Sequence, residues 1–201
     1  MRLDADSIET RQRLFKLSKS QKLKQGYISF GENDDYPLIF RNLIVNSPTA
    51  TLATGLYAKY LIGQGFTNGH NDTVVGKDAF GNDLKVIDLL RYVCEQLSVF
   101  RGAYVAINKN QFNRIGQAKP MPFEHIRLGK RDSYGYFSNL LYNKDFGTSE
   151  RKAKNDTTFF SYSQSDTVFA SRLEKIGVDQ YPSEIAHIFL DKTFAYPLAT
   201  L

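Results

Sequence analysis

The 201-residue chain has no tryptophan, two methionines, three histidines and a single cysteine, Cys94. One cysteine excludes an internal disulfide and any cysteine-based zinc cluster, and a lone thiol in an apolar run is expected to be buried as a small hydrophobe. No stretch approaches the roughly 18 consecutive apolar residues of a membrane span. The N-terminus passes from acidic to basic residues without the apolar core of a secretory signal, so the protein is expected to start life in a cytoplasm.

Acidic residues are absent between residues 10 and 31, where Arg11, Arg13, Lys16, Lys19, Lys22 and Lys24 lie. The chain carries a net +5, and removing these six cations from it leaves −1. The basic character therefore belongs to one short segment, which is read as a partly flexible arm over residues 1–30 able to touch phosphate without sequence choice. A loose helix over residues 7–24 is the most structure its sparse apolar positions support.

What the chain does have is a hydrophobic share of 42%, with 15 Phe and 12 Tyr, ordinary for a globular protein with a packed core. Asp34 or Asp35 is placed to cap a helix that carries Pro37 in its first turn. Asn46-Ser47-Pro48 breaks that helix and caps a second, bearing Leu52, Leu56, Tyr57, Tyr60 and Leu61, which Gly63 and Gly65 end. Residues 67–85, rich in Gly, Asn and Asp, read as a loop. The clearest amphipathic helix spans residues 84–100, with Ile87, Leu90, Cys94 and Leu97 along one stripe, Asn82 or Asp83 as cap and Gly102 as exit.

Beyond it the pattern becomes β-like. Residues 103–107 and 112–117 form a hairpin around Asn108 to Gln111, Phe123, Ile126 and Leu128 continue the sheet, and residues 134–142 supply an aromatic strand. Residues 143–166 read as a long polar loop with one apolar knot, Phe159-Phe160, exposed enough to meet partners. A short helix over 169–176 and a strand over 185–190 follow. The fold class is α+β, with N-terminal helices followed by a small, mostly antiparallel sheet, and residues 31–201 form the folded domain. The chain stops at AYPLATL without a tail-like composition, which suggests a piece of something longer.

No constellation for chemistry stands out. Gly63-Gln64-Gly65 lacks the third glycine of a dinucleotide loop, and no glycine-rich run ends in Gly-Lys-Ser/Thr. His70, His125 and His187 are not at metal-ligand spacing. Glu124 and His125 are adjacent, so on a strand they point to opposite faces, and Asp34-Asp35 needs only a helix cap as explanation. No catalytic residue, metal ligand or cofactor is assigned. One binding-module reading competes: a small cytoplasmic nucleic-acid-binding protein using Arg11 to Lys24.

Four stretches resemble the portal proteins of tailed double-stranded-DNA phages and prophages. GENDDYPLIFRNLIVNSPTATLATGLYAKYLIGQGF (31–66) looks like the family's opening block of Tyr-Pro, helix, Asn-Ser-Pro, helix and Gly-x-Gly-Phe. DLLRYVCEQLSVFRGAYVAINKN (88–110) resembles the helix and strand that follow, and MPFEHIRLGKRDSYGYF (121–137) the Pro-Phe-Glu-x-Ile-Arg-Leu-Gly stretch. FLDKTFAYPLATL (189–201) is similar to a later Tyr-Pro segment. The resemblance implies a wing-like portion lacking the stem, clip and crown, with no catalysis. It also implies a closed homo-oligomeric ring, commonly a dodecamer, at a capsid vertex of the virion, assembled in the host bacterial cytoplasm. Its partners would be the major capsid protein, terminase and head-tail adaptors, with double-stranded DNA passing through during packaging and ejection.

Overall fold

A computed structural model of the chain describes residues 23–24, 26–31, 33–78, 80–130, 137–176 and 183–190. A two-residue pair, β1 (Leu23–Lys24) and β2 (Tyr27–Ile28), leads into α1 (Tyr36–Val45) and α2 (Pro48–Ile62). β3 (Val74–Lys77) and β4 (Asp83–Lys85) precede α3 (Val86–Phe100), and then come β5 (Gly102–Lys109), β6 (Ile115–Met121), β7 (Ile126–Leu128) and β8 (Asn139–Tyr142). β9 (Thr157–Ser161), α4 (Asp166–Ile176) and β10 (Ser183–Phe189) complete the described chain. The fold is α+β.

Six strands form one sheet in the order β6-β5-β10-β9-β8-β7. Among the described residues four of its pairings are antiparallel and one, β9 with β10, is parallel. α4 makes the crossover that a parallel pair requires. Pro120 sits in β6 opposite Val105, which is tolerated because β6 is an edge strand where a missing N–H leaves no ladder bond unmade.

Alternation along β5 divides the core in two. Ala103, Val105 and Ile107 pack with Val93 and Leu97 of α3 and with Ala118. Tyr104 points the other way, into a cluster with Phe30, Tyr36, Phe40, Phe100 and Phe123, as period-two geometry demands. Phe123 is the hub of that cluster, stacked on Phe100 at 4.6 Å and on Tyr104 at 5.3 Å between ring centroids. Phe30, Phe40, Phe100, Phe123, Phe146 and Phe169 are buried, whereas Phe66, Phe80 and Phe112 are exposed. Glu184 of β10 is fully buried and takes Lys109 of β5 at 2.9 Å and Arg172 of α4, tying the crossover helix to the sheet.

Several sequence expectations are corrected. Tyr27, Ser29 and Phe30 are buried, so the packed body starts before the arm boundary at residue 30, because two aromatic anchors lie just behind the last lysine. Residues 67–85 contain the β3–β4 hairpin as well as loop. The N-cap of α3 is Lys85, whose amide donates to Asp88 at 3.4 Å, so neither Asn82 nor Asp83 caps it. The second strand of the β5–β6 hairpin runs from Ile115 to Met121 instead of 112–117. In 143–166 the Phe159-Phe160 knot is a strand inside the sheet, and Phe146 is fully buried. Cys94 is buried, and burial raises its thiol pKa.

Candidate subunit-contact surface

Arg11, Arg13, Lys16, Lys19 and Lys22, the basic residues singled out as phosphate contacts, lie outside the described residues. Lys24 has its backbone paired with Tyr27. The three histidines are held in different settings. His70 is exposed in the single turn His70–Asp72, His125 is half-buried with its ring edge-on to Tyr142 at 6.0 Å, and His187 lies in β10 stacked on Tyr104 at 4.6 Å. Among the described residues no three His, Cys, Asp or Glu side chains gather as a metal site.

The acids marked in the sequence are structural. Asp34 is buried at φ 63°, and its Oδ1 accepts from the Phe30 amide at 2.8 Å and from Arg127 Nε at 2.6 Å. Asp35 occupies the α1 cap position without a side-chain cap bond. The capping role expected of this pair is thus replaced by a buried ion pair. Arg127 also donates to the Glu124 and Ile126 carbonyls. Glu124 and His125 sit in a helical turn, Phe123–His125, not on a strand, and the buried Glu124 carboxylate is paired with Arg41.

Guanidinium groups and rings alternate beside that pair. Arg127 lies 5.0 Å from the Phe30 centroid and 4.6 Å from Phe146, while Arg151 lies 4.6 Å from Phe146 and 4.7 Å from Tyr27. Asn143 and Arg151 both bind Asp156. Desolvated cation–ring contacts of this kind fasten the segment after β8 onto the body, so the loop expected to reach for partners is anchored through Asn143 and Phe146 while residues 148–150 and 152–155 stay exposed.

His187 gives the fold an acid sensitivity. Burial holds its pKa well below 6.5, so the folded chain keeps it neutral. Below about pH 6.5 the unfolded chain binds a proton that the folded chain refuses, and stability falls with pH by up to about 1.4 kcal/mol per unit. The effect is absent above that range and grows as pH drops toward the folded pKa. His187→Phe, which keeps a ring against Tyr104, is expected to flatten the melting temperature between about pH 6.5 and 5. An unchanged slope would assign the sensitivity elsewhere. Burial likewise lowers the His125 pKa and raises that of Tyr92 to about 12.

The surface feature is α2. Ser47 Oγ accepts from the Ala50 amide and Gly63, at φ 53°, ends the helix, as the sequence indicates. Its Leu52, Leu56, Tyr57 and Tyr60 are exposed, Tyr60 to 84%. Beside α2 opens a cleft of about 400 Å³ lined by Phe40, Ile44, Ala53, Tyr57, Leu97 and Leu190, with Arg101 at its wall. Arg101 stands directly after α3 at φ 58°, and its carbonyl accepts from the Leu190 amide at 3.1 Å. Its enclosed Nε meets no acceptor among the described residues. Gly102, expected as the helix exit, instead opens β5. Gly65 is held to glycine by φ 79° and by Asn71 Oδ1, 2.7 Å from where a Cβ would stand.

No known family model matches the sequence, and no curated protein does. A solved structure, the virion of a native gene transfer agent particle, is similar over 85% of this chain and 51% of that one, at 11% identity and a TM-score of 0.41. The chain spans about half the length of the chain it matches. An overlap this loose assigns no function.

Sequence reasoning placed the apolar residues of α2 correctly on a helix but not on a surface. It missed Arg101 and the cleft. An arginine where a C-terminal helix cap favours glycine was the available local signal. No helix among the described residues is long and apolar enough to cross a membrane.

Proposed function

We propose that the chain is the wing-like part of a portal-ring subunit, a structural element of a phage or prophage capsid vertex that catalyses nothing. The observation that carries this reading is the apolar face of α2. A helix exposing Leu52, Leu56, Tyr57 and Tyr60 next to an open apolar cleft is suited to contact with another protein surface. The four stretches that resemble portals add the family. Heterologous contacts of one subunit type close into rings when the rotation between neighbours allows it. In this reading the rings, commonly dodecamers, contact capsid protein, terminase and adaptors while DNA passes through.

Negative-stain imaging of the full-length gene product is expected to show closed rings. Dispersed single subunits at high concentration would overturn the reading.

The basic segment is proposed to add salt-sensitive, sequence-independent phosphate contacts. If all six cations met phosphates, affinity for duplex DNA would fall with salt at a log-log slope of about −5, at about 0.9 per contact. Deleting residues 1–26 removes the two-residue β1 but leaves the packed Tyr27 in place, so the melting temperature is expected to change little while DNA binding drops. Unchanged DNA binding would remove the segment's electrostatic role.

A further inference from the structure

The cleft beside α2 is mostly apolar, with Thr54 and Ser98 in its lining and Arg101 as its one charged residue, whose buried Nε has no acceptor among the described residues. An occupant with an apolar anchor and a carboxylate close by suits this cleft, since the one charge in its lining is a half-buried guanidinium whose Nε lacks an acceptor among the described residues. The chain carries such a group. Phe80, at the β3–β4 turn, is the most exposed of the large hydrophobic residues described, at 91%. Asp78 lies two residues before it, while Asp83, three after it, is paired with Lys77 at 2.5 Å, so the turn carries a net charge of −1 through Asp78.

The turn holds its shape without the Phe80 ring. Asp78 Oδ1 accepts from the amides of Phe80 and Asn82, both at 2.8 Å, and Oδ2 accepts from the Asn82 side chain at 3.0 Å. These bonds fix the backbone and keep the Asp78 carboxyl below its usual pKa, so the ring is presented on a preorganised, acidic tip. The other strongly exposed phenyl ring on a hairpin, Phe112, stands two residues from Arg114 and would bring like charge to Arg101. Charge complementarity selects Phe80.

Position makes the contact one between copies. β4 runs directly into the start of α3, and the cleft includes Leu97, Ser98 and Val99 at its end with Arg101 just beyond. Fifteen helical residues span about 22 Å, and Phe80 is exposed instead of seated in its own cleft. We propose that copies of this chain join head to tail, with Phe80 of one copy seated in the α2 cleft of the next and its acidic turn facing Arg101. The proposal deepens the ring reading and rests on it for the closure of the chain of contacts. Such a joint uses two different patches of one surface, so it repeats.

Sedimentation velocity on the full chain tests it with three variants. Phe80→Ser removes the anchor. Arg101→Gly removes the guanidinium and suits a backbone at positive φ, so it is not expected to unfold the chain. Ala53→Glu places a carboxylate in the cleft at an exposed helix position. Wild type is expected to build a concentration-dependent series beyond the dimer, and each variant to shift its midpoint at least about tenfold, as a central hot spot does. Mixing Phe80→Ser with Ala53→Glu leaves one intact knob and one intact cleft, so that mixture is expected to stop at dimers.

A wild type that stays monomeric, or stops at dimers, overturns the joint. Association that survives Phe80→Ser and Arg101→Gly also overturns it, while rings of the full-length product would still stand. Variant-sensitive association here, without rings of the full-length product, would instead overturn the ring reading and keep the contact.

Discussion

Arg127→Met is expected to lower the stability of the chain by about 3–5 kcal/mol, the cost of stripping one partner from a buried ion pair. Arg127 is fully buried and bonds the Asp34 carboxylate, the Asp34 carbonyl and the Glu124 and Ile126 carbonyls. Methionine fills part of the space between Phe30 and Phe146, but it leaves an ionised carboxylate and three carbonyl oxygens with fewer donors. Equilibrium unfolding in denaturant measures the loss. Adding Asp34→Asn to Arg127→Met removes the uncompensated charge and should recover part of it, a coupling readable by a double-mutant cycle. A loss under about 1 kcal/mol for the single change would mean that the network is dispensable.

Leu97→Ala should cost about 2–5 kcal/mol, as buried leucine truncations do. Leu97 is buried in the cluster between α3 and β5, and it also walls the cleft. Leu90, two stripe positions earlier, is only half-buried, so Leu90→Ala is expected to cost clearly less. Equal losses from the two would show that the outer end of the stripe is packed as tightly as the inner. Losses below about half a kcal/mol for both would mean that this face of α3 is not core.

Local chemistry made much of this fold legible. Ser47-Pro48 announced the start of α2, and the repeat of Ile87, Leu90, Cys94 and Leu97 announced α3, because caps and helical periodicity act within a few residues. β9 was hidden. Its Phe159-Phe160 core is surrounded by polar residues, and its burial depends on β8 and β10, which lie far along the chain. The same limit applies to Asp34, where the local pattern favoured a cap and a guanidinium 93 residues away took the carboxylate. The cleft was illegible for a related reason: Ile44, Ala53, Leu97 and Leu190 come from four separate segments. Only Arg101, at a position that favours glycine, left a local trace.

β10 lies between β5 and β9, although it is the last strand to be synthesised among those described. Until Ser183–Phe189 leaves the ribosome, β6-β5 and β9-β8-β7 are separate ribbons, each with an open edge. Completing the sheet brings Ile185 beside Ala106 across 79 residues of chain, and closing loops of that length is slow. β10 also carries Glu184, which collects Lys109 and Arg172, and it leads into Leu190 on the cleft wall. One late-arriving strand thus closes the sheet, anchors the crossover helix and completes the cleft wall. If copies join through this cleft as proposed, a chain whose β10 has not yet docked has no finished cleft to offer its neighbour.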